Sequence, residues 1–450
     1  MSGAGLKKYD DYSDSHVEWL GKVPSHWVVT RNKDIFEERG SLSKSGEETL
    51  LTVSHITGVT KRSEKNVNMF MAESHEGYKI CKKGDLVINT MWAWMGALGT
   101  SNDDGICSPA YGVYKPKKNV SYDYRYFDYL YRTTNAVTEM TRNSKGIVSS
   151  RLRLYPKDFF KIKTALPLAE EQTEIANFII DNTSRIDSEI VLLNKKSSLY
   201  RSLRKSLIDE AVIRGIDKNA PLKFSGVEAI GDVPVHWNMM RLKEVAKIQN
   251  SNVDKKSHDH ELAVKLCNYV DVYKNEYIDK SIGFMQATAD ENEIKRFGIR
   301  ENDIFITKDS ETSLDIAVPA LAVESLEGVL CGYHLAQLRC DRKHLLGEYL
   351  FRLFQSKSYG HRFVVTSKGI TRVGLGQSAI ADALTPIPPI TEQVEIVAYL
   401  KRKTACIDEV IRKINKKINK LKELRISIIN DAVTGRIKVI DDSKTKEQVA

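Results

Sequence analysis

Two stretches of the chain nearly coincide: SHVEWLGKVPSHWVVTR, from Ser15 to Arg31, and SGVEAIGDVPVHWNMMR, from Ser225 to Arg241. Ser, Val-Glu, Gly, Val-Pro, His-Trp and Arg recur with no gap between them. A repeat of this density means that one structural unit is built twice, so it constrains the fold more than any composition does. The echo continues in register. KGDLVIN (Lys83 to Asn89) answers ENDIFIT (Glu301 to Thr307), and SKGI recurs at Ser144 and Ser367. LPLAEEQTEIANFI (Leu166 to Ile179) answers IPPITEQVEIVAYL (Ile387 to Leu400), and RSLRKSLIDEAVIRG (Arg201 to Gly215) answers KELRISIINDAVTGR (Lys422 to Arg436). The spacing drifts by only about a dozen residues, in the stretches least alike. A shared scaffold with divergent middles is the pattern of two related units that bind two different targets.

After each Glu-Gln anchor the apolar residues change to steps of three and four, the mark of one stripe along a helix. The first stripe runs Ile186, Ile190, Leu193, Ser197, Tyr200, Leu203, Leu207, and the second Ile407, Ile411, Ile414, Ile418, Leu421, Leu424, Ile428. No Pro or Gly interrupts Glu171 to Arg214 or Glu392 to Thr434, while Pro167 and Pro388-Pro389 precede the runs and Gly215 and Gly435 follow them. These are helix start and stop signals. Each helix of about 40 residues would extend roughly 60 Å at 1.5 Å per residue. A narrow stripe on so long a helix calls for a partner helix, and the other copy, antiparallel in a coiled coil, is the expected one. The pairing residues are Ile186, Ile190, Leu193, Leu203 and Leu207 against Ile407, Ile411, Ile414, Ile418, Leu421 and Ile428. The alternative is a surface helix packed on its own domain. Cations from Lys401 to Lys422 crowd the second helix; they suit a solvated coiled-coil face or, alternatively, a rail along DNA phosphates.

The segments before the helices read as mixed sheet and helix. LLTVSHI, DLVINTMW and GICSPAYGVYKP in the first half, and LAVKLCNYVDVY, NDIFITK, DIAVPALAV and YHLAQLRC in the second, read as strands broken by polar turns. DYRYFDYLYRTTNAVTEM and LLGEYLFRLFQS read as helices. The expected fold class is thus α/β, with mixed α+β recognition domains and long coiled-coil helices in two tandem pseudo-symmetric repeats. The expected order is a recognition domain over 13–165, a helix over 166–215, a second domain over 222–386, a second helix over 387–436, and a polar, disordered tail over 437–450.

With 68 Lys+Arg against 59 Asp+Glu and a pI near 9.0, the chain favours a polyanionic partner, though other soluble proteins share this balance. Two basic loops rich in small polar residues then stand out, TRNSKGIVSSRLR (Thr141 to Arg153) and TSKGITRVG (Thr366 to Gly374). Arg and Lys pair with guanine or phosphate, Ser, Thr and Asn reach base edges, and Gly lets backbone approach closely. An ordinary solvated turn is the alternative, but the same loop recurs at the same place in both halves. The candidate DNA contacts are Arg142, Lys145, Ser149 and Arg151 in the first loop and Lys368, Thr371 and Arg372 in the second, with Asn89 and Lys308 at the ends of the paired strand runs. Trp92 and Trp94 follow a strand-like run, and alternation favours core or interface burial over base stacking. The repeated His-Trp pairs read as scaffold.

Much is missing. The six cysteines form no C-x-x-C pair and have no His cluster beside them, so reduced thiols are expected rather than zinc or disulfides. The N-terminus lacks an apolar signal region, and no run approaches 18 apolar residues. These features together point to a cytoplasmic protein. There is no P-loop and no dinucleotide fingerprint beyond the bare Gly374-Leu375-Gly376. Nor is there an N-P-P-[YF] or D-P-P-[YF] run. Glu293-Ile294-Lys295 has nuclease-like spacing but lies in the solvated run ADENEIKRF. No metal or catalytic site is expected.

The S-x-V-E-[WA]-[LI]-G-x-V-P-x-H-W opening of each half, the proline-rich Glu-Gln stretch before each helix and the Ala-Val close followed by Gly resemble the specificity subunits of type I restriction–modification systems. The resemblance covers about residues 13 to 436. Ala229 stands where the first half has Trp19, and Ser197 and Tyr200 interrupt the first stripe. The resemblance implies a non-enzyme whose two recognition domains each read one part of a split, asymmetric double-stranded DNA site. It implies that antiparallel helices hold those domains apart and dock two methyltransferase subunits, with restriction subunits joining through the complex. S-adenosylmethionine, ATP and Mg are then expected only in those partners. The specificity region of a fused enzyme would need a catalytic region upstream, and the chain opens at Met1 without one. A coiled-coil scaffold or adaptor without DNA readout is the other rival.

Overall fold

The computed structural model describes residues 7–65, 74–148, 151–369 and 372–439. The chain divides into two compact units that do not follow chain order. One holds residues 1–193 and 416–450, the other 194–415. Both long helices, Ala169–Arg214 and Ile390–Val433, are therefore shared between the units, each unit taking the start of one helix and the end of the other.

In the first unit a four-stranded antiparallel sheet runs Phe36–Glu38, Tyr111–Pro116, Leu86–Asn89, Leu98–Thr100. In the second, a five-stranded sheet runs Ala246–Asn250, Leu335–Cys340, Ile304–Thr307, Pro319–Ala322, Tyr277–Ile278, with a four-stranded sheet beside it. The repeated G/N-D step explains itself in both. Gly84 and Asn302 take positive φ, which Gly and Asn tolerate best. The next residue, Asp85 or Asp303, is buried and caps the turn by accepting from Lys82 N at 2.7 Å or Arg300 N at 2.8 Å. Each Asp also takes a forked arginine, Arg39 or Arg339.

The opening V-P-x-H-W motif is the joint between domain and helices. In the second unit Glu392, in the first turn of its helix, accepts from His236 at 2.8 Å and from Trp237 Nε1 at 3.0 Å. Gly215, at the end of the other helix, packs on the same Trp237. The first unit repeats this with His26 on Glu171 at 2.9 Å and Gly435 on Pro24 and Trp27. Here the tryptophan makes no such bond, and the Tyr9 hydroxyl donates to the carboxylate oxygen that His26 leaves free. Burial, then Glu171, pushes that phenol well above its ordinary range. The adjoining glutamine ties the helix start to the domain. Gln172 bonds Pro167 O and Asp123 N, and Gln393 bonds Pro388 O and Leu346 N. A buried tyrosine closes each ring, Tyr126 on Val433 O at 3.2 Å and Tyr349 on Val212 O at 2.9 Å. Each unit's main core accordingly mixes domain and helix residues: Trp27, Ile175, Ile179 and Val433 in one, Val212, Trp237, Ile396 and Leu400 in the other.

Within each unit the helix segments run antiparallel. Asp187 meets Arg425 and Glu189 meets Lys417 in the first, and Arg204 meets Asp408 in the second. Ile186, Ile407, Ile414 and Ile418 are buried, and Ile190, Leu193, Leu207, Ile411, Leu421 and Ile428 are half-buried. Leu203 departs from the expected stripe. It is exposed, as is Leu424, and the next residue of each, Arg204 and Arg425, takes the place on the seam. A stripe read in steps of three and four drifts around a 3.6-residue helix, and here the chain takes a step of four.

Other elements differ from the sequence reading. DYRYFDYLYRTTNAVTEM breaks into Tyr124–Tyr131 and Thr134–Arg142, because Thr133 turns out to cap the second helix through Ala136 N. NYVDVY is helical over Tyr269–Lys274, started by Asn268 and Asp271. A further helix, Lys357–Thr366, capped by Ser356, follows the expected one. Glu293 lies on the short helix Glu291–Phe297, where it serves the cap with Asp290. No helix among the described residues is long and apolar enough to cross a membrane.

Candidate nucleic-acid interface

Both basic loops have the same neck. In the first unit Lys145 and Arg153 exchange backbone hydrogen bonds at 2.9 Å each; in the second Lys368 and Gly374 do so at 3.0 and 2.8 Å. The SKGI glycine explains why the loop recurs as it does. A Cβ on Gly146 would lie 2.7 Å from Arg151 O, and one on Gly369 would collide with Arg372 O. The residue after the neck then bonds to the end of a central strand, Leu154 N to Thr90 O at 3.0 Å and Leu375 N to Lys308 O at 2.7 Å. Loop and strand end, distant in sequence, thus form one surface in each unit.

In the first unit Arg142, Lys145 and Arg151 are exposed around this neck. Arg142 forks onto Glu18 at 2.7 and 2.9 Å, and this pairing holds the Glu18 carboxyl below the usual carboxylate range. Lys145 lies 3.5 Å from Asp158. Asn89 is not at the surface: it is buried, and its side chain accepts from Met91 N at 3.2 Å, shaping the turn that follows. Ser149 and Thr371 lie outside the described residues.

In the second unit Lys308 sits low rather than projecting, with only 11% of its side chain exposed. Its Nζ is 3.0 Å from Asp309 and 4.7 Å above the Tyr333 ring, which satisfies the charge in place. Lys368 and Arg372 are exposed. Arg372 meets His334 Nε2 at 3.3 Å, and His334 Nδ1 meets Asp309 at 3.3 Å. Arginine can only donate, so His334 accepts at Nε2 and donates from Nδ1. Sequence reasoning missed Asp309, Tyr333 and His334; the adjacent Tyr-His before LAQLRC was the available signal.

The first unit's strand end carries a different chemistry. After Asn89 the chain leaves the sheet for a tight turn at Ala93–Met95, so the strand alternation that argued for burial stops. Trp92 is exposed, and Trp94 is half-buried with its Nε1 on Met91 O at 3.0 Å.

The DNA specificity domain of type I restriction–modification matches this chain twice, over residues 24–195 and 234–420. The chain belongs to the type I restriction–modification DNA specificity family. The Type I restriction enzyme MjaVIII specificity subunit of Methanocaldococcus jannaschii is 22% identical over 283 residues, 63% of this chain. That match spans 64% of the relative's length, under two-thirds. A solved chain from work on complex assembly and conformational transition of the type I R-M system aligns over 91% of this chain and 98% of its own. Its TM-score is 0.68 at 15% identity, a likeness of fold. The HsdS subunit from Thermoanaerobacter tengcongensis aligns over 92% of this chain and 98% of its own, at 15% identity and a TM-score of 0.48. The specificity-family fold is therefore the mixed α/β domain followed by a long helix, present twice.

Proposed function

We propose that this chain is the non-catalytic DNA-reading subunit of a type I restriction–modification complex. Each recognition domain reads one half of a bipartite, asymmetric site. The paired helices set the distance between the halves and dock two methyltransferase subunits, through which restriction subunits join. Double-stranded DNA is the substrate read. S-adenosylmethionine, ATP and Mg belong to the partner subunits. One observation carries this reading: the same glycine-pinched basic neck is built twice against a strand end, with different side chains around it. A constant frame with variable contacts is what two base-reading sites on one scaffold require. A scaffold without DNA readout would have no use for it, and the family match disfavours that alternative.

The test is reconstitution. The purified chain should neither methylate nor cut DNA, and adding an N6-adenine methyltransferase partner should create methylation at one split sequence. Turnover by the chain alone, or methylation without sequence preference in the complex, would refute the reading.

A further inference from the structure

We infer that Trp92, with Met91 beside it, is an apolar wedge that enters a base step of the half-site read by the first recognition domain. This rests on the DNA-reading function proposed above and assigns one contact within it.

The turn holds these side chains in water by construction. Trp92 is 52% exposed, Met91 36% and Met95 41%. They cannot easily fold away, because their backbone is pinned on every side. Asn89 Oδ1 accepts from Met91 N, Trp94 Nε1 donates to Met91 O, and Gly96 closes the turn at positive φ. Thr90 O accepts from Leu154 N, and Thr141 Oγ1 reaches Trp94 O at 3.4 Å. An exposed apolar cluster on a rigid turn marks a contact surface.

The surroundings say what the contact is. Arg151 within the loop, Arg153 at the neck, and Tyr155 and Lys157 past it are all exposed, with Lys145 across the bridge. Of the acidic side chains nearby, Asp158 is buried beneath and Glu18 is paired with Arg142. A rigid apolar tip on the strand end that the basic neck bonds to, through Leu154 N on Thr90 O, suits a polyanion that offers an apolar gap, and stacked bases in duplex DNA offer one. Proteins that bend DNA insert such side chains between base pairs. A pyrimidine–purine step, the weakest stack, is the expected site. The run that follows the matching strand end of the second unit, Lys308, Asp309, Ser310, Glu311, contains no aromatic, so this wedge belongs to the first unit's run.

The experiment uses the full chain in complex with its methyltransferase partner. The probe is duplex DNA with 2-aminopurine placed stepwise through the first half-site, as located by methylation mapping. Wild type should raise 2-aminopurine fluorescence at one step. Trp92→Ala should abolish that rise and weaken specific binding about tenfold or more. The slope of log affinity against log salt should stay unchanged, because no phosphate contact is lost. Trp92→Phe should restore most of the effect. Lys145→Ala, by contrast, should lower the salt slope by about one. If Trp92→Ala keeps the fluorescence rise and the affinity, the wedge is wrong while the proposed function stands. If it instead lowers recovery of the partner with DNA binding intact, the patch is a protein contact and the inference falls. A wild-type complex with no sequence preference would overturn both.

Discussion

Arg425 of the second long helix donates through Nε to both carboxylate oxygens of Asp187 in the first, at 3.0 and 3.2 Å. The repeat supplies the pair again with the helices exchanged, as Arg204 of the first meets Asp408 of the second at 3.0 Å. Such reciprocity is the signature of two like helices paired antiparallel. These pairs are partly exposed and should mark register more than supply stability. A double-mutant cycle on Asp187→Ala and Arg425→Ala should give a coupling of about 0.2–1 kcal/mol. Ile186→Ala should cost about 2 kcal/mol or more. Urea unfolding measures both, and a coupling larger than the isoleucine effect would contradict an apolar seam.

Gly435 should be intolerant of any side chain. Its φ is +70°, and an added Cβ would lie 2.4 Å from Pro24 Cδ. Gly226, at φ +80° with nothing within 4 Å, isolates the conformational cost alone. Gly226→Ala should therefore lose about 1–3 kcal/mol, and Gly435→Ala clearly more. Thermal unfolding of the two variants decides it, and equal losses would show that the joint at Pro24 and Trp27 yields.

The exposed loop cations should divide by partner. A base-reading arginine among Arg151 and Arg372, changed to Ala, should cost about 1–3 kcal/mol of binding and relax one position. A phosphate contact at Lys145 or Lys368 should instead weaken all sequences. Arg142 is already paired with Glu18, at 2.7 and 2.9 Å. Glu18→Gln should free that arginine and steepen the salt dependence of DNA binding. Filter binding over a salt series checks all of these, and no effect at any position would remove the loops from the interface.

The repeat and the two helices were legible because both are written in local spacing. The glycine of SKGI was legible as a position but not as a reason, since its neighbour arrives from across the loop. Of the Asp309–His334–Arg372 chain only Arg372 was legible. Its members lie 25 and 38 residues apart, and only sheet pairing brings them together. Trp92 lies outside the core because alternation predicts burial only while the strand lasts, and this strand ends at Asn89. Leu203 and Leu424 show the same limit on a helix: a periodic stripe can be continued by the stem of an arginine one residue on.

If the helices act as the ruler, lengthening both should lengthen the spacer. Seven residues added between Leu193 and Tyr200 and again between Ile414 and Leu421 keep the stripe in register. They add about 10 Å at 1.5 Å per residue, or roughly three base pairs at 3.4 Å each. Three base pairs also turn the second half-site by about 100°, at about 10.5 base pairs per turn, so activity should fall while the preferred spacer grows. An insertion in one helix alone should prevent assembly. Methylation mapping that returns the original spacer would show that the helices do not set it.

The most direct test of the central claim, two independent readers on one scaffold, is a domain exchange read by methylation mapping. Residues from about Trp237 to Thr385 are replaced by the equivalent segment of another specificity subunit, and the complex is assembled with the same methyltransferase. The account predicts that one half of the methylated sequence changes to that of the donor while the other half stays as it was. A change in both halves, or in neither, would contradict it.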